Sequence, residues 1–378
     1  MTASWLPLAL LVISFVTAVL IFPLHEDQVR LRMILNLGGA TVKLVLVGVI
    51  FWVRLQGVEL ETRLPFLPDQ ELVLHVDYLS LIFVTLSAVL WFLTTIYAVR
   101  YLQGSPNRSR FFGFFSLCMT ATMGIALAGN LVTFLVFYEM LTVVTYPLVV
   151  HRGDGRALAA GRVYLMYTLT GGTFVLLGTV WLYSVVGPTE FVMGGQIAEA
   201  AASDPATFRW IFVFLIGGLG VKAALFPLHG WLPTAMVAPA PVSALLHAVA
   251  VVKAGVFGIV RVVGDVYGMD LVNTLGLLTP LAILASVTII YGSLRALAQD
   301  DLKCLLAYST VSQLSYITLN IALINSTTTA KALVHLMHQG IMKVTLFFCA
   351  GLLSETLDVH RISEMKGVGR RMPLTMAA

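Results

Sequence analysis

Seven ionisable side chains stand inside stretches that are otherwise almost wholly apolar: Glu139, Lys222, His247, Lys253, His335, His338 and Lys343. Carboxylate, ammonium and imidazole share one chemistry, the reversible binding of a proton. Removal from water disfavours the charged form of any such group, which draws carboxylates and amines toward titration near neutrality. Histidine titrates near pH ~6.5 without help and passes protons either way. In apolar surroundings each of these groups is costly unless it finds water or a partner, so each is a functional hypothesis.

Each also has a plainer alternative. Glu139, in "LVTFLVFYEMLTVVTYPLVV", is the sole carboxylate well inside an apolar run, and is a proton carrier or half of a structural salt bridge. Lys222 lies in "GGLGVKAALFPLHGWLP" (217–233), after Gly217, Gly218 and Gly220 and before Pro227 and His229. Glycines let a helix open and expose carbonyls to a cation or water. The discontinuity is therefore expected at the glycines, with Pro227 marking the end of the span. The alternative is a lysine that snorkels to a nearby interface. In "PVSALLHAVAVVKAGVFGIVRV", His247 and Lys253 are roughly 240° apart on a continuous helix and face different neighbours. For His247 alone the alternative is a satisfied core histidine. In "ALVHLMHQGIMKVTLFF", His335, Gln339 and Lys343 follow at i, i+4 and i+8, with His338 beside them. All four fall within ~140° of arc, a polar stripe hard to explain as packing. Arg162 and Lys303 stand near span ends, where anchoring competes with function. Ser309, Thr310, Ser312 and Gln313 in "DDLKCLLAYSTVSQLSYI" hydrate a path or bind neighbouring helices. Lys43, a single charge in "GATVKLVLVG", has no assignment.

These residues need a scaffold, and the composition says which. Of 378 residues 58% are hydrophobic and 11% charged, with a mean hydropathy of +0.92. Soluble chains carry roughly 25% charged residues, so this is an all-α polytopic membrane protein. Apolar runs of ~20 residues cross the ~30 Å hydrocarbon core as helices. Such runs are expected near 3–23, 33–55, 78–100, 111–129, 131–150, 159–185, 209–228, 237–262, 271–294, 303–325 and 329–353, about eleven spans by hydropathy. The segment 56–77 alternates instead, in "VELETR" and "ELVLHVD", and reads as a small hairpin on one membrane surface. The N-terminus lacks a basic region and a small-residue cleavage site, so its run is read as a helix that stays. Cys118, Cys304 and Cys349 have no paired spacing and read as small buried residues. No basic patch with interleaved aromatics supports nucleic-acid binding. No nucleotide loop, haem ligand pair or iron–sulfur spacing is visible. No cofactor or metal is expected, and redox chemistry is not expected of this chain alone.

Charge in the loops gives an orientation. Arg30 and Arg32 follow span 1; Arg100, Arg108 and Arg110 follow span 3; Arg152 and Arg156 follow span 5. Arg295 leaves span 9, and Arg361, Lys366, Arg370 and Arg371 leave span 11. The loop 186–208 has no Lys or Arg and carries Glu190, Glu199 and Asp204. Odd-numbered exits are expected in the cytoplasm and the N-terminus outside, in a multi-pass protein of the cell's inner membrane. The last residues, "GVGRRMPLTMAA", read as a basic loop and the first turn of a twelfth helix.

Three blocks carry a resemblance. "FPLHGWLPTAMVAPAPVSALLHAVAVVKAGVF" (226–257), "DDLKCLLAYSTVSQLSYI" (300–317) and "HLMHQGIMKVTLFFCAG" (335–351) resemble the antiporter-like subunits. These comprise the proton-pumping membrane subunits of respiratory complex I, their hydrogenase counterparts, and the large subunits of Mrp-type cation/proton antiporters. The resemblance runs from about residue 75 to the end. It implies N-terminal helices (1–100), a first inverted five-helix repeat (101–268) and a second, incomplete one (269–378), with span 7 broken. It implies a proton relay in which Glu139 pairs with Lys222, and His247 and Lys253 connect that pair to His335 and Lys343. Separation from Glu139 would make Lys222 release its proton. Gln339 departs from the pattern, since many members carry a second histidine there and here His338 stands one position earlier. The implied partners are other membrane subunits, the bilayer and protons, with sodium as a further cargo. The D-type large subunit of an Mrp-type antiporter is the nearer expectation, and a complex I or hydrogenase subunit the alternative.

Overall fold

The computed structural model describes residues 5–68, 70–323 and 328–378, without the side chains of Leu67 and 328–330. The chain opens with α1 (Leu6–Ile21) and α2 (Val29–Leu55), followed by the hairpin β1 (Glu61–Leu67) and β2 (Gln70–His75). Next come α3 (Tyr78–Tyr101), α4 (Arg108–Leu127), α5 (Leu131–Val149) and α6 (Gly155–Val186). The short α7 (Ala198–Ser203) leads into α8 (Pro205–Lys222), and α9 (Trp231–Thr234) into α10 (Ala240–Ala248) and α11 (Val251–Arg261). The chain continues through α12 (Met269–Thr274), α13 (Leu278–Leu297), α14 (Leu302–Ala322) and α15 (Thr328–Leu357) to α16 (Val368–Arg371) and α17 (Pro373–Ala377).

Among the described residues nine helical segments, not eleven, are long and apolar enough to cross a membrane. Two expected spans fall outside that set. The first, α1, has only 16 residues. The second, α14, has 21, but its lysine, serines, threonines, Gln313 and Asn320 dilute its apolar character. Helix starts are fixed by side-chain caps, which satisfy amides that no turn precedes. Asp77, Asn130, Asp154 and Asp301 accept from the amides of Ser80, Thr133, Ala157 and Cys304 at 2.7–2.8 Å. Apolar side chains turn outward, as on α13 with Ile283, Val287, Ile290 and Leu294. That is the surface a lipid-facing helix presents. The segment Ala240–Tyr267, which includes α10 and α11, is instead enclosed on all sides.

The hairpin forms as expected, with Glu61 opposite His75 and Leu64 opposite Leu72. It is seated on the start of α5: Val73 N donates to Thr133 Oγ1 (2.8 Å) and Gly129 N to Val73 O (2.8 Å). Arg63 of β1 pairs with Glu190 of the 186–208 loop at 2.7 Å. The arginine-bearing loops gather on the other face. Arg108 pairs with Glu26 (3.2 Å), Arg110 donates to His151 O (3.1 Å), and Ser363 N donates to Asp300 Oδ1 (2.9 Å).

Candidate functional site

The helix carrying Lys222 does break, but not at the glycines. It runs unbroken through Gly217, Gly218 and Gly220 and stops at Lys222. Gly218 serves close packing instead, whereas Gly217 has open space around it. A Cβ on Gly218 would stand 2.6 Å from Val175 Cγ2 and 2.7 Å from Val175 N of α6. A Cβ on Gly172 of α6 would stand 2.5 Å from the carboxyl carbon of Glu139. Past Lys222 the chain turns through Ala224 (φ 57°) and a cis Phe226–Pro227 bond. Pro227 lies in the turn between α8 and α9, past the end of the apolar span Pro205–Lys222. The freed backbone groups are satisfied inside the protein, as the hydrocarbon interior requires. Trp231 Nε1 donates to Val221 O (2.7 Å), Leu225 N to Gly220 O (2.9 Å) and Phe226 N to Thr288 Oγ1 (3.0 Å).

Lys222 is fully buried. Its ammonium donates to Tyr138 O and sits 3.3 Å from the centroid of the Tyr138 ring. Glu139, the next residue of α5, is near enough for its charge and that of Lys222 to interact. The two do not form a direct ion pair, and Glu139 Oε1 has no hydrogen-bond partner among the described residues.

A second break lies where one helix was expected. Between α10 and α11, Val249 (φ −130°, ψ −53°) and Ala250 (φ −94°, ψ −92°) leave the helical region. His247 and Lys253 therefore sit on two separate helices, and the angle expected of a continuous one does not apply. Lys253 Nζ donates to Leu336 O of α15 at 2.7 Å. His247, fully buried, lies with its ring centroid 4.7 Å from that of Phe347 of α15, and neither ring nitrogen has a partner among the described residues. On α15, Lys343 Nζ donates to Ser309 Oγ (2.7 Å) and Leu306 O (3.2 Å) of α14, and His335 Nε2 lies 3.1 Å from Gln313 O. Gln339 is fully buried, and neither polar atom of its amide has a partner among the described residues. His338 is exposed and stands outside this buried row.

The seven sequence candidates thus form two groups and an outlier. Glu139 and Lys222 make one group. His247, Lys253, His335 and Lys343 make the other, gathered around α15: Lys253 reaches Leu336 O and the His247 ring lies against Phe347 of that helix, which itself carries His335 and Lys343. The groups meet through backbone. A Cβ on Gly255 of α11 would stand 2.7 Å from the carbonyl carbon of Lys222. Lys303 donates to Met236 O (3.1 Å) and Ala238 O (2.6 Å) beside a cleft of about 340 Å³ on the arginine-rich face, lined also by Arg152, Arg156 and Asp301.

One cluster escaped the sequence reading. Arg261, 2% exposed, pairs with Asp265 (2.7 Å) and donates through Nη2 to Asp77 Oδ1 (3.0 Å) and Ser80 Oγ (2.9 Å). The i,i+4 spacing of Arg261 and Asp265 was a readable signal, and Asp77 before an apolar run was a readable cap. Their meeting across 184 positions was not.

Residues 128–378, about two-thirds of the chain, match the family described as NADH:quinone oxidoreductase/Mrp antiporter, TM. The chain belongs to this family. Residues 69–112 match the description NADH-Ubiquinone oxidoreductase (complex I), chain 5 N-terminus. Among relatives, NADH-quinone oxidoreductase subunit N of Desulforudis audaxviator is 34% identical over 82% of this chain and 62% of its own length. The A/B subunit of a probable K(+)/H(+) antiporter of Rhizobium meliloti is 32% identical over 88% of this chain and 33% of its own length. A putative antiporter subunit mnhA2 of Staphylococcus haemolyticus is 32% identical over 85% and 42%. The chain thus spans less than two-thirds of each of these relatives. A chain of the Mrp complex from Dietzia sp. superposes with a TM-score of 0.84 at 25% identity, over 98% of this chain and 40% of that one. A chain of the archaeal membrane-bound sulfane sulfur reductase shares the fold, with a TM-score of 0.85 at 24% identity over 99% and 76%.

Proposed function

We propose that this chain moves protons through the membrane as an antiporter-like subunit of a multi-subunit complex. One observation carries the reading. Lys222, Lys253 and Lys343 are all buried (0%, 0% and 2% exposed) at or near two helix breaks, and each is held by carbonyls or a hydroxyl rather than a carboxylate. A permanently charged ammonium so placed is expensive, whereas one that binds and releases a proton has a use. Glu139, with a free oxygen, is the group whose charge biases Lys222. Gln339 and His247, with unpartnered polar atoms, flank the second break and extend the path toward Lys343 and His335.

The driving partner is proposed to be a monovalent cation/proton antiporter of the Mrp type. The similarity to antiporter subunits and to the Mrp complex chain supports that choice. A redox-driven complex of the NADH:quinone oxidoreductase type is the second reading, favoured by the similarity to subunit N. Proton flux in membrane vesicles carrying the assembled complex tests the shared core. Glu139→Gln and Lys222→Ala should each abolish flux while assembly persists. Undiminished flux in both would refute the relay. Dependence on sodium or potassium, against dependence on NADH and quinone, separates the two readings.

A further inference from the structure

Lys43 of α2 takes no part in the relay, yet it is fully buried. Its ammonium donates to Ser14 Oγ of α1 (2.7 Å) and lies 4.6 Å from the centroid of the Trp91 ring of α3. Ser14 also accepts from Thr120 Oγ1 of α4 at 3.0 Å. No ion pair to Lys43 forms among the described residues. A lysine that merely filled this space would be replaced at less cost by methionine or leucine, because a hydroxyl and a π face compensate little of an ammonium's lost hydration.

The surroundings point in one direction. At their shared end, on the arginine-rich face, Arg32 of α2 donates to Ser109 Oγ of α4. Lys43 and Thr120 each stand eleven residues further along their helices, a rise of about 16 Å. The helices α2 and α4 thus carry two polar rungs at matched height, with Ser14 closing the inner one. Between the rungs, Asn36 of α2 and Ser116 of α4 are buried, and Asn36 Oδ1 and Ser116 Oγ have no hydrogen-bond partner among the described residues. Buried polar atoms of this kind are satisfied by ordered water where the protein offers nothing. The inner rung is one helix away from the relay. Trp91 lies on α3, whose Leu86 and Leu90 pack against Gly340 of α15, beside Gln339.

We propose that Lys43 is a second proton-binding site, reached from the arginine-rich face by the polar ladder between α2 and α4. The inference rests on the proton-translocating reading above. It assigns the N-terminal helices a part in proton uptake rather than packing alone.

The test is proton flux by the assembled complex in membrane vesicles, with subunit content measured in parallel. Lys43→Met removes the site, and Lys43→Arg keeps the charge on a group that does not give up its proton. Both should lower flux by about tenfold or more, a barrier increase of about 1.4 kcal/mol. Wild-type flux in Lys43→Arg would overturn the proposal, since a fixed charge would then suffice, and wild-type flux in Lys43→Met would overturn it outright. If neither variant assembles, Asn36→Leu and Ser116→Ala carry the test. Each should slow flux by about threefold, and unchanged flux in both would refute the ladder. Glu139→Gln is the control. If it abolishes flux while the Lys43 and ladder variants do not, only this site is lost. If it too leaves flux intact, the relay itself fails.

Discussion

The close approach of Gly172 to Glu139 gives a sharp test of the relay. In Gly172→Ala the new methyl carbon would stand 2.5 Å from the Glu139 carboxyl carbon and 2.8 Å from Oε2. Carbon atoms rest at about 3.5–4.0 Å, so the carboxyl group must retreat by roughly 1 Å. It can do so by rotating, because it is the end of a flexible side chain, and the fold should survive. Alanine in mid-helix even recovers up to about 1 kcal/mol relative to glycine. A misplacement of about 1 Å in a reacting group can cost as much as 10²-fold in rate, so flux should fall by about tenfold or more with thermal stability held. Gly217→Ala is the matched comparison, since its Cβ would meet nothing within 4 Å. Flux measured by dye quenching in vesicles should be unchanged there. Wild-type flux in Gly172→Ala would show that the position of Glu139 is immaterial. Equal losses in both variants would mean that the glycines, and not the carboxylate, matter.

Two further outcomes follow. Burial pushes the Asp77 carboxyl up, but the Arg261 guanidinium and the Ser80 amide outweigh it and hold the group down at about 2. A depressed carboxylate stabilises the fold above its unfolded value of about 3.9, and the contribution fades as pH falls toward 2. Asp77→Asn should therefore cost about 2 kcal/mol near pH 7, with Asp265 left to hold Arg261, and the gap to wild type should close near pH 2. Equal stability at pH 7 in detergent unfolding would refute this. For orientation, cysteines placed in 152–158 should be shielded from an impermeant reagent in intact cells and those in 186–208 labelled; the reverse pattern would invert the proposed topology.

Much of this was legible in the sequence, for physical reasons that can be named. Apolar runs reported helices because lipid leaves the backbone no other partner, and the alternation in 61–75 reported the hairpin. Half-buried Glu139 and buried Lys222, Lys253 and Lys343 stood out because charge is rare in such runs. The break after Lys222 was signalled, but glycine misled about its place. Glycine frees the backbone and also admits a neighbouring helix, and only the packing of α6 decides between the two. The break at Val249–Ala250 had almost no signal, since valine lowers helix propensity only slightly and alanine favours a helix. His338 and Gln339 fell within one arc, yet only the neighbours of α15 determine that the first faces outward and the second inward. Tyr138 was missed because it receives Lys222 through a backbone carbonyl, which no residue type announces.

Gly255 connects the two interrupted helices in a way that bears on motion. With no side chain of its own, it lets α11 rest directly on the chain where α8 ends, 2.7 Å from a hypothetical Cβ to the Lys222 carbonyl carbon. Lys253 lies two residues away. Two rigid rods touching backbone to backbone transmit displacement without slack. A shift of the α8 terminus toward or away from Glu139 must therefore carry the first turn of α11 with it, and Lys253 must move against Leu336. The two amines are then the ends of one lever, and under the proposed relay their proton exchange would be timed mechanically as well as electrically.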